Sequence, residues 1–165
     1  MLETARNGYA RLSGALDHGQ SLLLLAVRLY WGWQFMQTGW GHITHINKVT
    51  EFFGTLNLPA PHATAWFVSL LELVGGALLF LGLLNRLIAI PLTINMIMAY
   101  VTADREALTS IFSDPGKFYN ADPYTFLFAS LLVLVFGAGA FSLDYVLFKI
   151  PTPPRHAEFS ARVGD

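Results

Sequence analysis

Residues 63–102 read ATAWFVSLLELVGGALLFLGLLNRLIAIPLTINMIMAYVT. Two apolar runs, 63–84 and 87–102, are separated only by Asn85 and Arg86. A bilayer hydrocarbon core about 30 Å thick takes roughly 20 helical residues, so this stretch is predicted to cross a membrane twice as a tight helical hairpin. Upstream, 21–42 forms a further apolar run of spanning length, carrying Trp31, Trp33 and Trp40. Between the two, Ile43, Ile46, Val49, Phe52, Phe53 and Leu56 recur at helical spacing among polar residues. That pattern predicts an amphipathic helix in the interface after the first span, ended by Pro59-Ala60-Pro61. Downstream, 103–122 reads as a polar loop with turn signals at Ser113-Asp114-Pro115-Gly116. Asp122-Pro123 then supplies an N-cap and a first-position proline for a fourth span over 124–148. The fold class expected is therefore all-α, an integral membrane four-helix bundle.

Composition agrees. Of 165 residues, 54% are hydrophobic and 13% charged, against about 25% charged in soluble domains. A net charge of −1 provides no basic field for nucleic acid. The chain has no cysteine, which removes disulfides, thiolate metal sites, iron–sulfur clusters and covalent c-type haem. The first apolar run is interrupted by Arg28 and followed by no small-residue cleavage site, so it is expected to stay as an anchor. Placing both termini in the cytoplasm puts Arg6, Arg11, Arg86, Lys149, Arg155 and Arg162 inside, against Lys48, Arg105 and Lys117 outside; the positive-inside rule favours that orientation. The divisions expected are a cytoplasmic N-terminal segment (1–20), the four-helix domain (21–148) and a cytoplasmic tail (149–165). Helical spacing of Leu2, Ala5, Tyr9, Leu12 and Leu16 allows a short surface helix in the first segment or a frayed tail.

Two ionisable residues fall inside spans, Arg28 and Glu72. A lone charge in hydrocarbon costs several kcal/mol, about 2.5–3.5 on insertion scales, so such residues face the interior and pair. Depth counting puts Arg28, Glu72 and Asn95 within reach of one network. Three readings stay open: a buried ion pair that fixes helix register; a polar pocket for a carbonyl or quinone head group, with Arg28 as donor and Glu72 as possible proton acceptor; or ion or proton conduction. Gly32 and Gly39 share a stripe with Arg28 and His42, and Gly75, Gly76 and Gly82 share one with Glu72. Small residues of this kind allow close helix packing in lipid. Pro91 is expected to kink the third span and free the Leu87 carbonyl. His42, His45 and His62 are the candidates for a metal, though no inward-facing pair lies deep in a span; the expectation is that no metal is bound.

Taken in order, Leu24-Leu25-Ala26-Val27-Arg28, Leu58-Pro59-Ala60-Pro61, the run from Leu71-Glu72 through Gly75-Gly76 and Gly82 to Asn85-Arg86, and Gly137-Ala138-Gly139-Ala140-Phe141-Ser142-Leu143-Asp144 resemble the DoxX family of bacterial four-helix membrane proteins. The resemblance implies association with membrane redox systems, including the small subunits of thiosulfate:quinone oxidoreductase. It implies a subunit of an electron-transfer assembly in the bacterial inner membrane, near a quinone or quinol and beside other membrane subunits. The alternative is a structural accessory subunit of a larger respiratory or photosynthetic complex, without its own chemistry. A third is an autonomous binder or transporter of a small apolar molecule.

Overall fold

The computed structural model describes residues 2–148, with side chains from Gly19 onward; the tail expected over 149–165 and the N-terminal side-chain stripe lie outside the described residues. Every regular element among these residues is a helix: α1 (Leu2–Thr44), α2 (Ile46–Thr55), α3 (Pro61–Leu81), α4 (Asn85–Thr102), α5 (Arg105–Thr109), α6 (Pro115–Asn120), α7 (Pro123–Phe136) and α8 (Leu143–Phe148). Residues 2–20 continue into the first apolar run without a break, giving a helix of 43 residues. The amphipathic helix is α2, one residue after α1 ends, and it packs on α3.

Alone among the described residues, α3 is both long and apolar enough to cross a membrane by length and composition; α7 is apolar but short. The fourth apolar run differs from expectation. It was expected as one helix over 124–148, but α7 ends at Phe136, and Gly137 (φ 81°) and Gly139 (φ 74°) turn the chain through a loop into α8. Only residues without a Cβ visit that left-handed region cheaply. Asp122 precedes α7, but its side chain makes no capping hydrogen bond, and helix entry rests on Pro123 in the first turn. The loop expected over 103–122 folds into the two short helices α5 and α6. Lys117 Nζ donates to Glu106 Oε1 at 2.6 Å, and the Tyr100 hydroxyl reaches the Phe118 carbonyl at 2.7 Å with the two rings stacked 4.8 Å apart.

Helices α1 and α3 pack most intimately. A Cβ on Gly32 would lie 2.7 Å from Phe80 N and 2.9 Å from Gly76 O, and one on Gly76 would lie 2.7 Å from Met36 N. Gly39 faces the Leu73 backbone at still closer range. These contacts define an antiparallel register in which residue 32 opposes 76–80 and residue 39 opposes 69–73. Gly75 points instead at α4, toward Leu92 and Ile88 side chains. Phe35, Leu79, Ala89, Leu92, Met96 and Val133, drawn from α1, α3, α4 and α7, are buried together, with Phe126 edge-on to Phe35 at 4.7 Å. Many large apolar side chains face outward instead, among them Trp33, Trp40, Val74, Leu81 and Val135.

Candidate functional site

The register of α1 on α3 decides which polar residues meet. Arg28 lies level with Gly82, whose added Cβ would touch its guanidinium. Glu72 is about ten residues farther along α3, about 15 Å at 1.5 Å per residue. The expected Arg28–Glu72 pair is therefore not made. Counting both depths from the ends of the apolar runs treated those ends as flush, whereas α1 begins well before its apolar run.

Arg28 is buried and binds backbone. One guanidinium nitrogen donates to the Ala138 carbonyl and Nη2 donates to the Phe141 carbonyl at 2.8 Å. Both carbonyls belong to the loop between α7 and α8, where the helical ladder is interrupted. Backbone groups released inside apolar surroundings need a partner, and a planar, permanently charged fork is suited to holding two acceptors. The same region is braced from α8. Asp144 Oδ1 accepts the Leu84 N–H at 2.6 Å, and Oδ2 accepts the Asn85 N–H at 2.9 Å and the Asn85 side-chain amide at 3.3 Å. In return the Asp144 N–H donates to Gly82 O at 2.9 Å. Arg28 and Asp144 thus lock the start of the bundle, the α3–α4 turn and the α7–α8 loop together.

Glu72 belongs to a different centre. Its Oε1 accepts from Asn95 Nδ2 at 3.0 Å, and its Oε2 lies 3.0 Å from His42 Nδ1. Both atoms of that second approach are enclosed, and neither takes part in a hydrogen bond, so the contact is a close approach of the two groups and not an aligned hydrogen bond. Of the three residues expected to cluster, Glu72 and Asn95 meet and Arg28 does not; His42, placed by the sequence on the Arg28 stripe and among the metal candidates, takes its place. His45 is exposed, its Nδ1 3.0 Å from Gly41 O, and His62 is exposed at the start of α3. No group of three His, Cys, Asp or Glu side chains comes together among the described residues.

This second centre borders a half-open cavity of about 940 Å³ lined by α1, α2, α3, α4 and the start of α7. Its walls are mostly apolar, including Phe52, Phe53, Leu71, Ile94 and Phe126, with Pro91 contributing. Helix α4 continues through Pro91. His42, Glu72 and Asn95 provide a polar patch, and Lys48, Asp104 and Asp122 stand along the rim. The Asp104 carboxyl is held above its ordinary pKa, first by burial and then by the charge of Asp122. An apolar chamber of this size with a few convergent polar groups has the build of a site for an apolar molecule with a polar head. Sequence reasoning missed two residues: His42 as the partner of Glu72, and Asp144 as a cap. The paired stripes of small residues carried the first signal, since aligning Gly39 with the Ser69–Leu73 turn brings His42 to Glu72. No local pattern pairs Asp144 with a turn some sixty residues earlier.

The DoxX family model matches residues 23–105, half of the chain. The Bacillus subtilis (strain 168) protein named "Putative oxidoreductase CatD" is 27% identical over 125 residues, covering 76% of this chain and 87% of its own. The Mycobacterium tuberculosis protein named "Uncharacterized membrane protein Rv3486" is 28% identical over 141 residues, covering 78% and 83%. A Haemophilus influenzae protein is 26% identical over 136 residues. No solved structure matches. The match spans the start of the Arg28 lock, the glycine contacts of α1 on α3 and all three members of the His42–Glu72–Asn95 centre, and the chain belongs to the DoxX family of membrane proteins.

Proposed function

We propose that this protein crosses the bacterial cytoplasmic membrane four times, with both termini inside, and binds a quinone or quinol as a subunit of an electron-transfer assembly. The observation that carries the reading is the cavity of about 940 Å³ with the His42–Glu72–Asn95 patch in an otherwise apolar wall. A prenylated ring needs an apolar chamber for its body and hydrogen-bonding groups for its oxygens, and both are present. The name of CatD carries the word oxidoreductase, which supports placing the family near redox chemistry. The outward apolar side chains on α1, α3, α4 and α7 support lipid contact along each apolar run. With the termini inside, the Arg28 lock lies toward the cytoplasm and the cavity toward the outer side, where Lys48, Asp104 and Asp122 border it.

The test is gentle extraction from native membranes followed by mass spectrometry of co-purifying lipids and proteins. Wild type is expected to retain a quinone, and Ala99→Phe, which fills the cavity from a wall position, is expected to lose it without losing the fold. A chain recovered only within a large complex and carrying no quinone would favour a structural accessory subunit instead. Partner subunits co-purifying with the quinone-bearing chain would support the assembly role.

A further inference from the structure

The walls of the cavity are unequally covered. Helix α3 lines it with Phe67, Val68, Leu71 and Glu72, and α4 with Ile94, Asn95, Met98 and Ala99, the same helical spacing on each and so one face of each. One flank of each face is covered: Glu72 is buried, and Val68, Asn95 and Ala99 are half-buried. The other flank is open, with Phe67 65%, Ile94 54% and Met98 47% exposed. On both helices that open flank runs into the outward apolar face, at Leu70 and Val74 on α3 and at Ile97 and Val101 on α4. The two helices are tied together at depth, where Gly75 packs on the Leu92 and Ile88 side chains and Asn95 Nδ2 donates to Glu72 Oε1 at 3.0 Å. Otherwise α3 packs mainly on α1 and α2, and α4 on α7, and the cavity lies between these groups. Phe67 is six residues into α3 from Pro61, about 9 Å at 1.5 Å per residue. Met98 and Ile94 are four and eight residues below the end of α4 at Thr102, about 6 and 12 Å. The polar rim stands at another level, with Asp104 beyond the end of α4 and Asp122 before the start of α7.

We infer that the cavity opens sideways into the outer leaflet, between Phe67 of α3 and Ile94 and Met98 of α4, and that its ligand keeps its chain in this mouth. The inference rests on the quinone-class reading and the orientation above, and specifies a long-chain quinone delivered from lipid, not a tail-less one taken from water. A chamber of about 940 Å³ is of the size that holds a drug-sized ligand, about 300–1,000 Å³. It takes a head group and the first part of a chain, and the remainder of a long tail stays outside. Leaving past Phe67, Ile94 and Met98, that tail never quits apolar surroundings, and Met98, unbranched and flexible, adapts to its passage. Leaving by the rim, it would pass Asp104 and Asp122 into water, against the hydrophobic effect.

Two photoreactive probes on the wild-type full chain in nanodiscs test this without any variant that has to fold. Both are long-chain ubiquinones, one with a diazirine on the ring and the other with a diazirine at the far end of the chain. Crosslinks are mapped by peptide mass spectrometry with and without excess unlabelled long-chain ubiquinone. The ring probe is expected to label the inner wall, around Leu71 and Phe126, and the chain-end probe Phe67, Ile94 and Met98. Competitor is expected to cut both at least about fivefold by mass action, while chain-end labelling of Trp33 and Val135, on other outward faces, stays unchanged. Competed ring labelling without competed chain-end labelling at the mouth overturns the inference and leaves the quinone-class reading standing. The same holds if the competed chain-end label falls at Lys48, Asp104 or Asp122, which would mean passage through the rim. No competed labelling by either probe overturns both.

Discussion

The Asp144 carboxylate sits over the first turn of α4, with Oδ2 accepting the Asn85 backbone N–H at 2.9 Å. The residue at the N-cap of α4, Leu84 (φ 52°), has no side chain able to cap. The opening N–H groups of a helix have no intrahelical acceptor, and an anion there also meets the positive end of the helix dipole. Asp144 supplies from another helix what the local sequence lacks. Asp144→Ala is expected to destabilise the protein by about 1–3 kcal/mol, with Asp144→Asn intermediate, as read by thermal melts in mild detergent. An unchanged melting temperature in Asp144→Ala would show that the cap contributes nothing.

Arg28 and Glu72 serve separate centres, so their substitutions should not couple. Arg28→Ala strips the partners from the Ala138 and Phe141 carbonyls and is expected to cost roughly 2–4 kcal/mol. In a double-mutant cycle with Glu72→Gln, the two losses are expected to add within about 0.5 kcal/mol, as for distant sites. The check is the cycle measured by detergent melts. A double variant markedly milder than the sum would mean that the two side chains interact.

The glycines of α1 are not equivalent. Gly39 faces the Leu73 backbone with no room for a methyl group, whereas Gly41 has nothing within 4 Å. Gly39→Ala is expected to force α1 from α3 at a cost of about 1–3 kcal/mol. Gly41→Ala is expected to be neutral or to gain roughly 0.5–1 kcal/mol from lower chain entropy in the unfolded state. Equal behaviour of the two in a melt series would contradict the register of α1 on α3.

At the rim, Asp104 titrates above its ordinary value of 3.8 through burial and the neighbouring Asp122 charge. A carboxyl raised on folding favours the folded state fully below its unfolded pKa, and that contribution is lost as pH rises through the folded value. Asp104→Asn is therefore expected to raise the melting temperature at neutral pH, with the gain disappearing in acid below about pH 4. Asp122→Asn should give a smaller change of the same sign. A neutral-pH melting temperature lowered by Asp104→Asn would show that the carboxylate is stabilised where it stands.

Much of this architecture is readable from residue pattern because lipid-facing and close-packed positions follow simple rules. The apolar runs, the amphipathic segment before Pro59 and the small residues at 32, 39 and 76 all come from local composition and helical spacing. What the pattern hides is registration between helices. Arg28 and Glu72 are the two charges that hydropathy singles out, and pairing them is the simplest way to neutralise both. Yet a broken helix at Gly137 offers Arg28 two carbonyls, and a single imidazole at the far end of α1 meets Glu72. The break itself rests on glycine conformation in a stretch that hydropathy reads as continuous. His42 reads from sequence as a metal candidate because its partner is thirty residues away on another helix.

Photolabelling tests the central claim most directly. An azido-ubiquinone incubated with native membranes, crosslinked and mapped by peptide mass spectrometry, is expected to label half-buried cavity-wall residues of α2, α3 and α7, around Phe53, Leu56, Leu71 and Phe126. Excess unlabelled quinone should compete that labelling away, and Ala99→Phe should abolish it. Labelling spread over outward-facing residues such as Trp33, Val74 and Val135, unaffected by competitor, would mean that the molecule meets quinone only as a membrane component and that the cavity is not its site.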